Sequence, residues 1–298
     1  MNLHKHIFHK LGKYFRRSQK TSKIHAEIHH AEIQADYVDS QDCGLLDAVQ
    51  SGWFLNDSNE LYKGFSIHPT DVVLDVGCGA GGATLFCARR GAHVIFVDSD
   101  AEKIAMVNSS ARQTIARKVE GYVSNSLPLP LPDNLASRIM AQEVLEHVEQ
   151  PAEILRELVR VGQPGALYLL TVPHPTGEKI QKEIGPQSHF EAPNHINIFE
   201  TDEFESLITD AGLVIESKSS YGFYWTMWML LYWTTQKASK QLHIGATHDL
   251  IKAPYPALLN DWAKLWHQII KIPEAAPMKQ ALDQLLPKSQ VILARKPN

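Results

Sequence analysis

The order of apolar and polar positions changes character near residue 71. DVVLDVG is a short apolar run entering a glycine turn, and ATLFCARRG then repeats apolar residues at helical spacing until Gly91 closes it. AHVIFVD is a second apolar run, followed by the helical pattern of AEKIAMVNSSARQ. Strand, helix, strand in this order is a βαβ unit, and parallel strands with crossover helices imply an α/β fold. GYVSNS ends a third strand, and after the proline-rich LPLPLPDN a fourth strand, SRIMAQ, leads into EVLEHV. Pro151 opens the helix PAEILRELVRVG at the position where proline is tolerated, and QPGALYLLTVP forms a fifth strand. Five βα units are legible from about residue 66 to 172.

Beyond Pro173 the period is lost. HPTGEKIQKEIGPQSHFEAPNHIN reads as a loop of more than twenty residues, too long for a mere connection, so it is expected to carry function or cover a site. Thr201 is expected to cap TDEFESLITDAG, with Asp202 and Glu203 in its first turn and Gly212 at its end. LVIESKSS follows as a sixth strand, and SQVILARKP at 289–297 reads as one more, expected to pair antiparallel with it. Residues 220–288 between them form a helical, aromatic-rich insertion. Its stretch YGFYWTMWMLLYW, 221–233, is too short to span a bilayer as a helix. It suits the core of the insertion, a wall of a pocket for an apolar or aromatic ligand, or a membrane or subunit contact. Trp262 and Trp266 continue the aromatic character on a second helix. The chain therefore divides into an N-terminal helical and basic segment (1–65), a core (66–219), the insertion (220–288) and a final core strand (289–298).

Composition narrows the class. With 298 residues, 44% hydrophobic and 21% charged, the chain has ordinary globular makeup. Three cysteines without a CxxC make no disulfide framework or zinc motif, which is expected of reduced structural thiols in a cytoplasmic protein. The first 24 residues lack the apolar region of a secretory signal. They carry seven Lys or Arg and no acid, leaving 22 basic against 33 acidic residues elsewhere. Leu3, Ile7, Leu11, Tyr14 and Phe15 share one face at helical spacing. The arm thus suits a basic surface helix on its own domain, or contact with anionic lipid or an acidic partner. The acidic body disfavours nucleic acid, whose phosphates need a basic track. His25, His29 and His30 lack the cysteines or carboxylates of a metal set, and no metal is expected.

The densest chemistry is DVGCGAGG, residues 75–82. Gly77, Gly79 and Gly82 spell GxGxxG, a dinucleotide fingerprint, whereas Asp75, Gly77, Gly79 and Gly81 spell DxGxGxG. Free N–H groups at the start of a helix would suit a polar ligand. A carboxylate at Asp75 would repel a pyrophosphate but can meet an ammonium group, directly or through water. Asp98 ends the second strand and can accept both hydroxyls of a ribose, or cap the next helix. Gly82 is expected to serve close helix packing.

VVLDVGCGAGG, VIFVDSD, PLPLPD with EVLEHV, and QPGALYLLTVPHP resemble, in order and spacing, the class I S-adenosylmethionine-dependent methyltransferases. The likeness is greatest to the small-molecule branch that includes quinone-biosynthesis enzymes. It runs from about 66 to 218 and returns in the final strand. It implies a Rossmann-like seven-stranded sheet, mostly parallel with an antiparallel final strand, and S-adenosyl-L-methionine as cofactor. By the same resemblance Asp75, Gly77, Cys78 and Gly79 line the methionine part of the donor, Asp98 holds the ribose and Ser99 flanks the adenine. Asn125 stands where the family often has an acid that bonds the adenine amino group, with Ser126 beside it, and Gln142 closes the methionine end. Glu143, Glu146 and His147 fall at a strand-to-helix corner that shapes this pocket.

The sulfonium already makes the methyl group electrophilic, so the protein must align an acceptor lone pair, with a base where the acceptor is a hydroxyl. His174, His189 and His195 lie in the long segment after the fifth strand. His195 or His174 is expected to be that base, the other use being hydrogen bonds that order the segment. The expected activity is methyl transfer to oxygen or nitrogen of a small, apolar or aromatic acceptor. An NAD-dependent oxidoreductase shares the glycines and Asp98 but leaves Asp75 unexplained, and a non-catalytic donor-binding protein is the third reading.

Overall fold

The computed structural model describes residues 38–239, 247 and 251–298. The basic arm and His25, His29 and His30 lie outside the described residues. Seven strands form one sheet: β4 (Val72–Val76), β5 (His93–Asp98), β6 (Lys118–Val123), β7 (Ala136–Gln142), β8 (Gly162–Pro173), β9 (Val214–Tyr221) and β10 (Ser289–Arg295). Their order across the sheet is β6-β5-β4-β7-β8-β10-β9. β10 runs antiparallel to both β8 and β9, and the pairs among β4 to β8 are parallel. The chain starts in the middle at β4, winds out to β6, then returns past β4 to β7. The carboxyl ends of β4, β5 and β7 therefore flank the point where the winding reverses, where open α/β sheets hold their ligands.

Alternation sorts β4 onto two faces. Leu74 and Val76 join the apolar layer of helices α4 (Pro151–Val161) and α6 (Thr201–Asp210). Val73 points the other way, into the layer of α2 (Gly82–Ala88). α3 (Ala101–Ala111) covers Phe96 on that side through Ile104 and Val107, and Asp100 caps it by accepting from the Glu102 and Lys103 N–H groups. Both faces are thus covered, as a parallel sheet requires. α6 begins one residue earlier than its Thr suggested. Glu200 is the cap and exchanges hydrogen bonds with Glu203 in a capping box, leaving Thr201 inside the first turn.

The region before residue 66 is not wholly helical. After α1 (Ser40–Gln50), three short antiparallel strands follow: β1 (Trp53–Leu55), β2 (Glu60–Tyr62) and β3 (Phe65–Ser66). Their turns form at Gly52 and Gly64 and at Asn59, all with positive φ. Trp53, Tyr62 and Phe65 pack on the α2 side of the sheet.

The segment after β8 is more ordered than a loop. His174 caps a ten-residue helix, α5 (Pro175–Ile184), and Gln187–Phe190 makes a 3-10 turn. Proline at the first helical position starts α5, a signal the missing apolar period had hidden. The insertion supplies α7 (Phe223–Ser239), α8 (Ala257–Ile269) and α9 (Ala276–Leu285). Its aromatic stretch is core: Tyr224, Trp228 and Trp233 are buried with Trp266 of α8 and Cys43 of α1 in one cluster. The indoles are satisfied by hydrogen bonds, Trp228 to Ser40 Oγ at 3.1 Å, Trp266 to Asp47 Oδ1 at 2.8 Å and Trp233 to Gln181 Oε1 at 3.1 Å. α1 and the insertion, distant in sequence, thus share one core.

Candidate functional site

β4 delivers the glycine turn to the reversal point of the sheet. The Gly77 and Cys78 N–H groups both donate to the Val97 carbonyl, at 2.8 and 3.0 Å, and Gly79 N–H donates to Asp98 Oδ2 at 2.9 Å. Those three donors are spent on β5, so the turn is no open phosphate nest, and this weighs against the dinucleotide reading. Gly77, Gly79 and Gly81 have φ of 70°, 50° and 77°. A Cβ at Gly77 would lie 2.4 Å from Val144 Cγ2, and one at Gly81 would lie 2.6 Å from Val107 Cγ2. Gly82 does not serve close packing: a Cβ there meets nothing within 4 Å, and Gly81 fills that role against α3. At Gly79 a Cβ would reach only the Gly77 carbonyl, 3.9 Å away, so the chain is bare there on its open side.

Asp98 does not cap the next helix, which Asp100 does; it latches the glycine turn to that cap. Oδ1 accepts from Asp100 N–H at 3.0 Å while Oδ2 holds Gly79, and each oxygen retains a second lone pair for a hydroxyl. Ser99 is exposed beside it, Asn125 is exposed, and Ser126 is buried with φ of 68°. The Asn125 side-chain oxygen accepts from Leu127 N–H at 3.3 Å, which leaves its NH2 end as a donor for a ligand. Gln142 is half-buried at the end of β7, its amide nitrogen 3.8 Å from Met140 Sδ. Cys78 is buried, and burial followed by the Asp75 and Asp98 charges pushes its thiol up, which makes it inert.

Asp75 is 3% exposed and turned toward α2, where the Thr84 hydroxyl donates to its Oδ2 at 2.5 Å. Burial raises its pKa to about 7 against the Thr84 bond, with Asp98 adding to the rise. The carboxylate thus ties the turn to the helix and would gain from a nearby cation.

A second group of ionisable side chains stands at the same end of the sheet. Glu143, just past β7, is held at φ 55° and donates its N–H to the Thr171 carbonyl of β8 at 3.0 Å. Its Oε2 is 2.5 Å from Lys288 Nζ. Burial pushes Glu143 up, but Lys288 and Thr171 outweigh it and leave the carboxyl below its ordinary value. Glu146 is buried, neither carboxylate oxygen has a hydrogen-bond partner, and burial with the Glu143 charge holds it well above the usual range. His147 Nδ1 lies 3.0 Å from the Asn194 carbonyl, and its Nε2 lies 3.7 Å from Glu146 Oε1. His195 Nδ1 is 2.6 Å from Glu178 Oε2 of α5, its ring 5.0 Å from that of His147 and 4.7 Å from that of His189. Burial, then His195, keeps His147 below its ordinary pKa.

The structure separates the two histidines expected to act as base. His195 joins the cluster. His174 does not: its Nδ1 accepts from Thr176 N–H at 3.3 Å as the cap of α5, and it faces a groove along β9 with Thr201 and Gln290. Glu178 was missed because its segment read as loop. Once Pro175 is taken as a helix start, Glu178 falls in the first turn, where a carboxylate is favoured.

Fold and site together define a class: a doubly wound α/β domain with a glycine turn latched to a strand-end carboxylate at its reversal point, beside a second cluster of ionisable side chains. Residues 74–170 match the methyltransferase domain family. A probable S-adenosylmethionine-dependent methyltransferase of Mycobacterium tuberculosis is 34% identical over 144 residues, 48% of each chain. The ubiquinone biosynthesis O-methyltransferase of Aeromonas salmonicida is 32% identical over 127 residues, 42% of this chain and 50% of that one. The chain thus spans about half the length of these curated relatives. Among solved structures, a geranyl diphosphate methyltransferase in complex with SAM shares the fold at 17% identity and a TM-score of 0.50, over 86% of this chain and 85% of that one. Residues 74–170 thus carry a match to a methyltransferase domain, in a segment similar to S-adenosylmethionine-dependent methyltransferases.

The residues present fit that family's donor. The bare side of Gly79 leaves room that a Cβ would take, and Asp98 keeps lone pairs for two hydroxyls beside it. Among the described residues no helix is long and apolar enough to cross a membrane.

Proposed function

We propose that the protein transfers a methyl group from S-adenosyl-L-methionine to an oxygen or nitrogen of a small apolar or aromatic acceptor. The observation that carries this reading is the coincidence of the matched segment, 74–170, with the turn and carboxylate at the carboxyl ends of β4 and β5.

In this reading Asp98 binds the ribose hydroxyls, Ser99, Asn125 and Ser126 border the adenine, and Gly77, Cys78, Gly79 and Gln142 line the methionine portion. Asp75 acts from beneath, holding the turn through Thr84 and placing negative charge near the donor's ammonium group. When bound, the donor supplies a methyl group already activated on a sulfonium. His195 holds the acceptor's proton at Nε2, because Glu178 fixes its Nδ1 as the N–H. Glu178 also stabilises the positive charge that develops on the ring as the proton arrives. Trp233 borders this end through His189, with 5.1 Å between ring centres. Oxygen is favoured over nitrogen by the His195–Glu178 pair, since a hydroxyl needs a base and a free amine does not.

Calorimetry with S-adenosylhomocysteine and with NAD tests the donor. The first should bind and the second should not; the reverse result would remove the proposal. Incubation with labelled donor and a cell extract then identifies the acceptor by its labelled product.

A further inference from the structure

The cluster around Glu146 has a feature that methyl transfer alone leaves unexplained: a carboxylate 1% exposed whose two oxygens have no hydrogen-bond partner. An unsatisfied buried carboxylate is costly, and natural proteins keep one where something else completes it. Two histidines are aimed at the same place. His147 Nδ1 faces the carbonyls of Asn194 and Pro193, at 3.0 and 3.2 Å. A carbonyl only accepts, so Nδ1 carries the hydrogen and Nε2, 3.7 Å from Glu146 Oε1, carries the lone pair. His195 Nδ1 faces Glu178 Oε2 at 2.6 Å, which by the same logic places its lone pair on Nε2. The ligand atoms offered by Glu146, His147 and His195 lie within 4.8 Å of one another.

We propose that Glu146, His147 and His195 bind one divalent first-row transition ion of the zinc or cobalt kind, with Glu178 as the positioning residue behind His195. Two imidazoles and one carboxylate are a donor set for such ions rather than for magnesium or calcium, which take oxygen ligands. Carboxylate or carbonyl oxygens behind the ligating imidazoles are the usual support that sets the tautomer and ring direction. The geometry agrees: Glu178 stands behind His195, and the ammonium of Lys288 is committed to Glu143. Three protein ligands leave a coordination position open, and His147 is partly exposed, with 35% of its side chain accessible, so the site opens to solvent. In the ion-loaded protein His195 Nε2 would be a ligand and would not take the proton itself; an acceptor hydroxyl at the open position would then lose its proton to solvent. That use rests on the proposed methyl transfer, while the ion site itself does not.

The test uses the full chain stripped of metal by chelator. Titration with Co2+, followed by visible absorption, and with Zn2+, followed by calorimetry, should show one ion bound with nitrogen ligands. Glu146→Gln, His147→Ala and His195→Ala should each weaken it at least about 10-fold, and Glu178→Gln about 10- to 100-fold. His174→Gln and the combined His25→Ala, His29→Ala, His30→Ala variant should leave it unchanged. Absence of binding would overturn the proposal, as would binding that survives Glu146→Gln and His195→Ala together or is lost in the His25, His29, His30 variant. S-adenosylhomocysteine affinity, measured on the same samples, should persist in Glu146→Gln and shows that the variant is folded. Loss of ion binding with donor binding intact removes only this site, and failure of donor binding in the unmodified protein removes only the methyltransferase reading.

Discussion

Replacing Asp75 with asparagine should change the pH dependence of stability and the affinity for the donor in ways that can be separated. The folded-state pKa is about 7 and the ordinary value is 3.8. Between those values the folded protein holds a proton that the unfolded chain has lost. Stability from this group is therefore greatest at low pH and declines as pH rises toward 7, then levels off. The full interval corresponds to an upper bound of about 4 kcal/mol, of which about 3 kcal/mol falls between pH 5 and 7. The asparagine side chain would still accept from Thr84 but would bury an amide NH2 at a cost of about 1–3 kcal/mol. The variant should be the less stable protein at pH 5 and should equal or exceed the unmodified one at pH 8. Urea unfolding at one-unit steps from pH 5 to 8 measures the difference, and the groups common to both proteins cancel. If Asp75 faces the donor's ammonium, S-adenosylhomocysteine should also expel about one proton on binding at pH 6, read from calorimetry in buffers of different ionisation enthalpy. Parallel stability profiles for the two proteins would refute the burial argument, and binding without proton release would refute the ammonium contact.

Gly79→Ala should cost about 1–2 kcal/mol of stability from its left-handed backbone alone, because nothing crowds the new methyl, yet it should weaken donor binding strongly. Gly77→Ala adds a collision with Val144 and should destabilise by a further 1–3 kcal/mol or so, read as a lower urea midpoint. Asp98→Ala should reduce S-adenosylhomocysteine affinity about 10- to 100-fold, measured by calorimetry, since it removes charged acceptors from both turn and ligand. His195→Gln should lower kcat about 10²- to 10⁴-fold with donor affinity unchanged, whereas His174→Gln should lower kcat little. Trp266→Ala should cost about 3–5 kcal/mol in a thermal melt or urea titration and leave Asp47 without its indole donor.

The sheet was legible because its strands are short apolar runs bounded by turn residues, and each helix between them carries its own period. Two parts were less legible, for physical reasons. The segment after β8 hid α5 because only part of that helix is buried, and its polar residues Glu178 and Gln181 are the ones turned inward, which no apolar period reports. The three short strands before β4 were missed because runs of two or three residues fall below any periodicity, though NDSN between WFL and ELY is a turn signal. In the donor half, residue types and spacing marked the positions, but the direction of Asp75 and the packing role of Gly81 rather than Gly82 needed coordinates.

The acceptor half shows why spacing could not finish the problem. Glu146 and His147 come from the corner after β7, Glu178 from α5 and His195 from the segment before α6, so up to 49 sequence positions separate groups that meet in space. What joins them is the backbone: Ile196 and Asn197 N–H both donate to the Glu146 carbonyl, at 2.9 and 3.1 Å. The Asn197 amide donates in turn to the Leu145 and Val148 carbonyls, at 3.2 and 2.8 Å. These bonds staple the His195 segment to the EVLEH corner and leave the Glu146 side chain beneath it. Asn197 is therefore the residue whose loss should disperse the cluster without touching any of its members. Asn197→Ala should weaken both Co2+ binding and turnover while S-adenosylhomocysteine affinity, set at β4 and β5, stays as it was. A variant that lost donor affinity to the same degree would show that the two halves are one cooperative unit and that the staple does more than place His195.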